Sequence, residues 1–539
     1  TFTNIEGSAF ENEPVKSITV RTIRGFVGEF SASVASPTSD VAVTNHSETE
    51  LKMTFADGVT FTSSLEAVAA IAPTIKGNDP ITVVLELGST TLDTELNAVR
   101  GIGAGETLEL EIDAEVFNPG IELEWSYGGL GVINKFSNHS PAIDAAGNVY
   151  FTTENSTNLY KLSPEGELLW AEDIGFTGAQ NTSPSVEPDG SAIYAGGGGS
   201  GGGAYSAFNP DGSRKWTLTK DKFFSNGATP APNFNQEAAA IGEKNIYIGN
   251  AGTTGSVLSV DKATGERIAY VSNATNGTGG PTGGTSSGMA LSSEGVVAWF
   301  ANYGLFAANK SLLDSPTQTH ETYGAYVPFG VRYGYTWAWA NSYSGVACTT
   351  IDGENCIASV GVEKTTGGSY NLHVIAAPAA AGLGTSAPGS SQSWKFDHKI
   401  ENVKQQDQGG IVVGPQGELI VAIKNLNGDG GLYAVAKDGT KAWQFKCGVD
   451  VCGAAAVDNN GYVHFVDDKA VYYILKPDYA TGECEIVASS DLYELAQKSG
   501  VDIGTATAAR AWTSVMIGDD GRMYVACEFH NGWSERHGR

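Results

Sequence analysis

From Ser140 onward the chain is written in short apolar runs separated by polar turns that contain glycine. One stretch reads Ser140-Pro-Ala-Ile-Asp-Ala-Ala-Gly-Asn-Val-Tyr-Phe151, then Asn158-Leu-Tyr-Lys-Leu-Ser-Pro-Glu-Gly-Glu-Leu-Leu-Trp170. The next reads Ser183-Pro-Ser-Val-Glu-Pro-Asp-Gly-Ser-Ala-Ile-Tyr194, then Ala204-Tyr-Ser-Ala-Phe-Asn-Pro-Asp-Gly-Ser-Arg-Lys-Trp216. Alternating apolar positions place side chains on two faces of a strand, and the Gly-containing turns punctuate hairpins. Each stretch therefore predicts four short strands. Weaker copies of the first half begin near Ala238, Gly288, Gly409, Gly453 and Ser514, and the second half recurs at Leu258–Tyr270 and Leu432–Trp443. A divergent unit fits between 301 and 408, around Cys356-Ile-Ala-Ser-Val. Eight four-stranded units at intervals of roughly 43–64 residues predict the blades of a β-propeller.

The last unit has two strands, Ser514–Ile517 and Met523–Phe529. An outer strand for it is expected upstream, because Phe117-Asn-Pro-Gly-Ile-Glu-Leu-Glu-Trp125 parallels Phe208-Asn-Pro-Asp-Gly-Ser-Arg-Lys-Trp216. Trp125 should then occupy the place of Trp170, Trp216 and Trp443. Closure by strands from both ends removes exposed edges; a head-to-tail exchange between molecules satisfies the same pattern.

Residues 14–117 read differently, with longer strands such as Ser17–Ile23 and Thr107–Ala114, where Leu108, Leu110 and Ile112 alternate with acidic residues. Their order resembles the immunoglobulin-like sandwiches repeated in bacterial surface proteins. Ser64–Ala72 is expected as a short helix and residues 1–13 as a flexible leader. The whole is thus expected to be all-β: a leader, an immunoglobulin-like β-sandwich over 14–117, and a propeller of about eight blades over 118–539.

Composition narrows the function. Asp and Glu number 60 against 32 Lys and Arg, and the net charge of −28 disfavours nucleic acid or an anionic membrane as the main partner. No apolar run is long enough to span a bilayer. The start at Thr1 lacks a charged and an apolar signal region, so an export signal is expected to have been removed. The six cysteines fall as Cys348 with Cys356, Cys447 with Cys452, and Cys484 with Cys527, an even set that leads us to expect three disulfides and an oxidising, extracytoplasmic site. Reduced thiols and zinc are the rivals, although no C-x-x-C is present.

The pattern L-Y-A-x-D-x-x-T-G-x-x-x-W, as in Leu258–Tyr270 and Leu432–Trp443, resembles the repeats of exported bacterial quinoprotein-like (pyrroloquinoline-quinone-type) propellers over residues 122–539. The outer-membrane assembly lipoprotein of propeller form uses such repeats too, as do many exported proteins with no cofactor. The resemblance implies a fold more than a function. Its dehydrogenase members hold the quinone with a vicinal Cys–Cys disulfide, a Trp platform and Ca²⁺, and this sequence has no adjacent cysteines. No cofactor is therefore expected. A structural Ca²⁺ is left open without a position, since Asp429 and Asp458 lie in turn-like sequences lacking the D-x-D-x-D-G spacing. Asp467-Asp468 and Asp519-Asp520 read as turn carboxylates, and Gly196–Gly203 as a flexible loop. No hydrolase motif is present, and no catalytic residue is expected.

Tyr333, Tyr335, Trp337 and Trp339 alternate, so a strand would present all four on one face. They either fill a wedge between blades or form a patch for a sugar or protein. The leading expectation is a non-enzymatic secreted or cell-surface protein that binds carbohydrate or a protein partner through propeller loops. A subunit of a self-assembling surface filament is the first alternative, and a quinoprotein dehydrogenase-like enzyme the second, disfavoured one.

Overall fold

In the computed structural model the chain divides into two compact units, residues 1–121 and 122–539. The described residues are 2–3, 14–22, 27–31, 42–48, 50–60, 64–65, 80–86 and 91–97 in the first unit. In the second they are 121–128 (with Ile121 at the boundary), 140–153, 156–175, 180–198, 203–219, 238–250, 256–272, 288–301, 304–314, 345–365, 369–379, 395–404, 410–424 and 429–531.

The first unit contains a four-stranded antiparallel sheet in the order Glu50–Thr60, Pro14–Thr22, Pro80–Glu86, Thr91–Asn97. Val27–Ser31 pairs with Ala42–Glu48. Phe2–Thr3 pairs with Ser64–Leu65, so a part of the expected leader is in a strand and the expected helix begins as one. The strand read at Thr107–Ala114 lies outside the described residues.

The second unit repeats one antiparallel sheet, in most repeats with each strand bonded to the next in sequence. The first repeat comprises Ala142–Ile143, Val149–Thr152, Asn158–Leu162 and Leu168–Asp173. The second runs from Gln180–Asn181 and Ser185–Val186 through Ile193–Gly198 and Ala204–Phe208 to Arg214–Thr219. Gly196, Gly197 and Gly198, expected in a loop, are thus in a strand, where a Cβ on Gly196 would meet the Tyr205 ring. The third repeat is Ala240–Ile241, Asn245–Asn250, Ser256–Asp261 and Arg267–Ser272; the fourth shows Ala290–Leu291, Val296–Ala301 and Gly304–Asn309. The divergent fifth is Val346–Ile351, Glu354–Lys364, Tyr370–Pro378 and Phe396–Val403. The sixth is Ile411–Val413, Leu419–Ile423, Gly431–Val435 and Lys441–Lys446; the seventh is Ala456–Val457, Val463–Val466, Val471–Asp478 and Glu483–Asp491. The eighth is a hairpin in which Ala508–Ala511 and Met516–Ile517 pair with Cys527–His530 and Met523–Tyr524. This nearly all-β architecture of four-stranded antiparallel sheets is consistent with a β-propeller.

The core lies between successive sheets, because second and third strands carry apolar residues on both faces. Tyr194, Tyr205 and Trp216 of the second repeat pack with Ile246, Leu258 and Val260 of the third. Similar clusters join the fifth repeat to the sixth and the sixth to the seventh. Val149 and Leu162 of the first repeat share a cluster with Met516 and Tyr524 of the eighth, and with Trp125 and Tyr127.

Candidate functional site

The tryptophans near the outer strands hold neighbouring repeats together. Trp170 donates its indole N–H to Pro210 O at 3.1 Å, and Trp216 donates to Lys262 O at 2.9 Å, each reaching the next repeat's last turn. Trp125 makes the same contact with Pro164 O at 2.8 Å. Its ring covers Gly166, where an added Cβ would sit 2.5 Å from Trp125 Cδ2; this close approach, with φ of +82°, requires glycine. Trp443 departs from the pattern and donates to Glu418 Oε1 at 3.2 Å, which also accepts from the Tyr479 hydroxyl at 2.7 Å. Phe396 takes the corresponding place against Gly439. Among residues 121–128 no strand is assigned, so Trp125 is seated by side-chain contacts rather than by a ladder.

The cysteine expectation is corrected. Among the described residues no disulfide joins any of Cys348, Cys356, Cys447, Cys452, Cys484 and Cys527. Cys348 lies opposite Ile357 and Cys356 opposite Thr349, one register position apart, so the two side chains leave opposite faces of the hairpin. Cys356 accordingly packs toward the sixth repeat and Cys348 toward the fourth. A disulfide needs the Cβ atoms to face each other. Burial pushes the Cys447, Cys484 and Cys527 thiols up to about 12. They are packing residues rather than nucleophiles.

Tyr333, Tyr335, Trp337 and Trp339 lie outside the described residues. The two calcium-like turns have other uses. Asp458 Oδ1 accepts the amides of Asn460 and Tyr462, while Asp429 pairs with Lys446 at 3.4 Å.

A concentrated charged group instead spans the end of the fifth repeat and the sixth, seventh and eighth repeats. In an antiparallel four-stranded repeat, second and fourth strands end at the same rim. Lys404 follows a fourth strand, Lys424 and Asp467-Asp468 follow second strands, and Asp450 follows a fourth strand. Backbone bonds tie these segments: Lys404 N donates to Lys424 O and Asp468 N to Asp450 O, each at 2.9 Å. Lys404 Nζ reaches Asp450 Oδ2 at 2.9 Å. Asp467 is buried and accepts the Lys469 and Val471 amides at 2.9 Å. Asp468 accepts the Trp512 indole N–H at 2.5 Å. Burial raises both carboxyls above their ordinary value, and at Asp468 the Trp512 bond and the Lys424 charge work against that rise. The Arg510 guanidinium lies 4.2 Å from the Trp512 ring centroid and is fixed by two bonds to Glu528, at 3.0 and 2.8 Å.

The sequence reading missed this group, treating Asp467-Asp468 as a turn. That role holds for both, and Asp468 in addition fixes Trp512, for which the Arg510-Ala-Trp512 triplet was the available signal. The arrangement presents a rigid aromatic–guanidinium stack beside ion pairs. Its carboxylates are engaged by amides, an indole and cations.

The sequence has no adjacent cysteines, and among the described residues no group of three His, Cys, Asp or Glu side chains could hold a cation.

No curated protein matches the sequence. The chain is similar in fold search to BamB from Moraxella catarrhalis, at 12% identity and a TM-score of 0.42, covering 74% of this chain and 94% of that one. A europium-containing methanol dehydrogenase matches at 11% identity and a TM-score of 0.46, covering 75% of this chain and 84% of that one. The computationally designed Ika8 protein matches at 13% and 0.45, covering 72% and 95% respectively. Residues 123–317 match the family profile described as PQQ_2, outer membrane protein assembly factor BamB, so this segment carries repeats similar to those of PQQ-type propellers.

Proposed function

We propose that the chain is a non-enzymatic, extracytoplasmic binding protein that engages a protein partner through the rim of its fifth to eighth repeats. The observation that carries this reading is the Trp512–Arg510 stack, pinned by Asp468 and Glu528 beside the Lys404–Asp450 pair. Preordered Trp and Arg side chains lose little entropy on binding and dominate many protein interfaces. The name of the matched family, an outer membrane protein assembly factor, supports a protein partner and a site outside the cytoplasm. Carbohydrate binding, self-assembly and catalysis are the competing outcomes.

Photo-crosslinking from position 404 in cells would identify the partner, whose affinity is then measured with purified components. Trp512→Ala and Lys404→Glu should each weaken binding by about tenfold or more, equivalent to about 1.4 kcal/mol. Lys441→Glu, on an exposed outer-strand position, should leave it unchanged. Unaltered affinity in folded Trp512→Ala and Lys404→Glu proteins, specific glycan retention without a protein partner, or quinone-dependent dehydrogenase activity would each overturn the reading.

A further inference from the structure

His373 stands on the third strand of the fifth repeat, between the second strand and the outer, fourth one. Its side chain is only 6% exposed. Nδ1 lies 2.8 Å from Asp397 Oδ1, on the fourth strand, and Nε2 lies 3.3 Å from Glu363 Oε2, on the second. The register explains how one ring reaches both. His373 is opposite Gly361 and Lys399, so the carboxylates sit diagonally on either side and Gly361 places no side chain between. Glu363 also accepts from Asn371 Nδ2 at 2.7 Å.

A neutral imidazole has one N–H and would turn a lone pair toward one of these carboxylates; only the imidazolium donates to both. Burial acts against the charged ring, but the hydrogen bonds and charges of Asp397 and Glu363 outweigh it, and the His373 pKa stands above its ordinary value.

The strand held in this way reaches into the next repeat. Phe396 covers Gly439, and His398 places Nδ1 2.8 Å from Gly439 O and Nε2 2.9 Å from the Tyr433 hydroxyl. Otherwise the strand is an edge, with most of its side chains exposed or half-exposed. We propose that His373 is a proton-operated fastener, which as imidazolium ties the outer strand Phe396–Val403 to its sheet and on deprotonation loosens that strand's grip on the sixth repeat.

Among the described residues, the charged groups facing the ring are Glu363 from the second strand, and Asp397 and Lys399 from the fourth. Lys399 is itself paired with Glu401 at 3.1 Å. The fourth repeat contributes apolar Val296, Ala298, Leu305 and Ala307 to this side of the sheet. A pKa raised on folding stabilises fully below the unfolded value, about 6.5, and the contribution disappears as pH rises through the folded value. Fastening is therefore complete below the unfolded value of about 6.5 and is lost as pH rises through the raised folded value.

Hydrogen exchange of the intact protein, corrected for intrinsic rates, tests this at about pH 5.5 and about pH 8.5. Protection of 396–403 should fall by about fivefold or more at the higher pH while that of 419–423 changes little, as expected for local opening. His373→Gln should abolish the difference, and His398→Gln should retain it. Equal protection at both pH values, or a difference that survives in His373→Gln, overturns the proposal. If His373→Gln does not fold, an NMR titration of wild-type His373 decides, and a pKa at or below about 6.5 overturns it.

Discussion

Asp144 is buried, yet its carboxylate is fully engaged. Oδ1 accepts the amides of Ala146 and Asn148, at 3.0 and 2.9 Å, and Oδ2 accepts the Tyr150 hydroxyl at 2.9 Å. The acid thereby fixes the turn between first and second strands, and the tyrosine anchors the turn to the sheet. The seventh repeat reuses the device with other atoms: Asp458 takes the Asn460 and Tyr462 amides, and His464 stands where the tyrosine would be. Burial pulls the His464 pKa below its ordinary value, against the effect of Asp458, so this ring serves as a neutral donor, unlike His373. Tyr150→Phe removes one hydroxyl and leaves Asp144 Oδ2 with the Asn148 side-chain amide as its remaining donor, at 2.8 Å. The expected loss is about 1–3 kcal/mol in urea-induced unfolding. A cost near zero would mean that water replaces the hydroxyl.

At the scale of elements, hairpin punctuation was legible and side-chain facing was not. The repeats could be read because Asp-x-x-Gly turns and alternating apolar runs are local signals, dictated by φ > 0 at the glycine and by period-two burial. Even the divergent fifth repeat appears at the expected place, with Ile357 in its second strand. Cysteine spacing, by contrast, says nothing about which face a side chain leaves from. The turn Asp352-Gly353, with φ of 52° and 76°, is a two-residue hairpin turn that fixes Ile351 opposite Glu354 and hence Cys348 opposite Ile357. That dipeptide was the readable evidence against a Cys348–Cys356 bridge. Alkylation of the unfolded protein without reductant, followed by peptide mapping, should therefore find both residues modified. Recovery of a linked 348–356 peptide would require the hairpin to be shifted by one residue. The rim group was less legible still, because Trp512 and Asp468 lie 44 residues apart and meet only through the packing of two repeats.

For the propeller-like unit as a whole, contacts between first and last repeats decide how the array ends. Glu124 and Arg522, separated by 398 residues in sequence, meet through two bonds of 2.6 Å. Trp125 lies 5.8 Å from the Tyr524 ring, close to the 6.1 Å between Trp170 and Tyr150 and between Trp216 and Tyr194 within complete repeats. The segment before the first repeat thus holds the side-chain position of an outer strand for the eighth. The ion pair is solvent-exposed, and such pairs contribute little because water screens them and long side chains lose freedom. The indole, half-buried over Gly166 and bonded to Pro164, removes apolar surface from water and fills a shaped site. We therefore expect Trp125→Ala to cost on the order of 2 kcal/mol, below the roughly 3–5 kcal/mol typical of a fully buried tryptophan. Limited proteolysis should find residues 508–531 cleaved sooner in that protein, since the last hairpin loses its apolar neighbour. Arg522→Ala should leave both the unfolding midpoint and the cleavage pattern nearly unchanged. Should Arg522→Ala prove as damaging as Trp125→Ala, the two ends are joined by charge rather than by packing. Should neither change cleavage at 508–531, the eighth repeat stands on its own hairpin and the upstream segment merely lies against it.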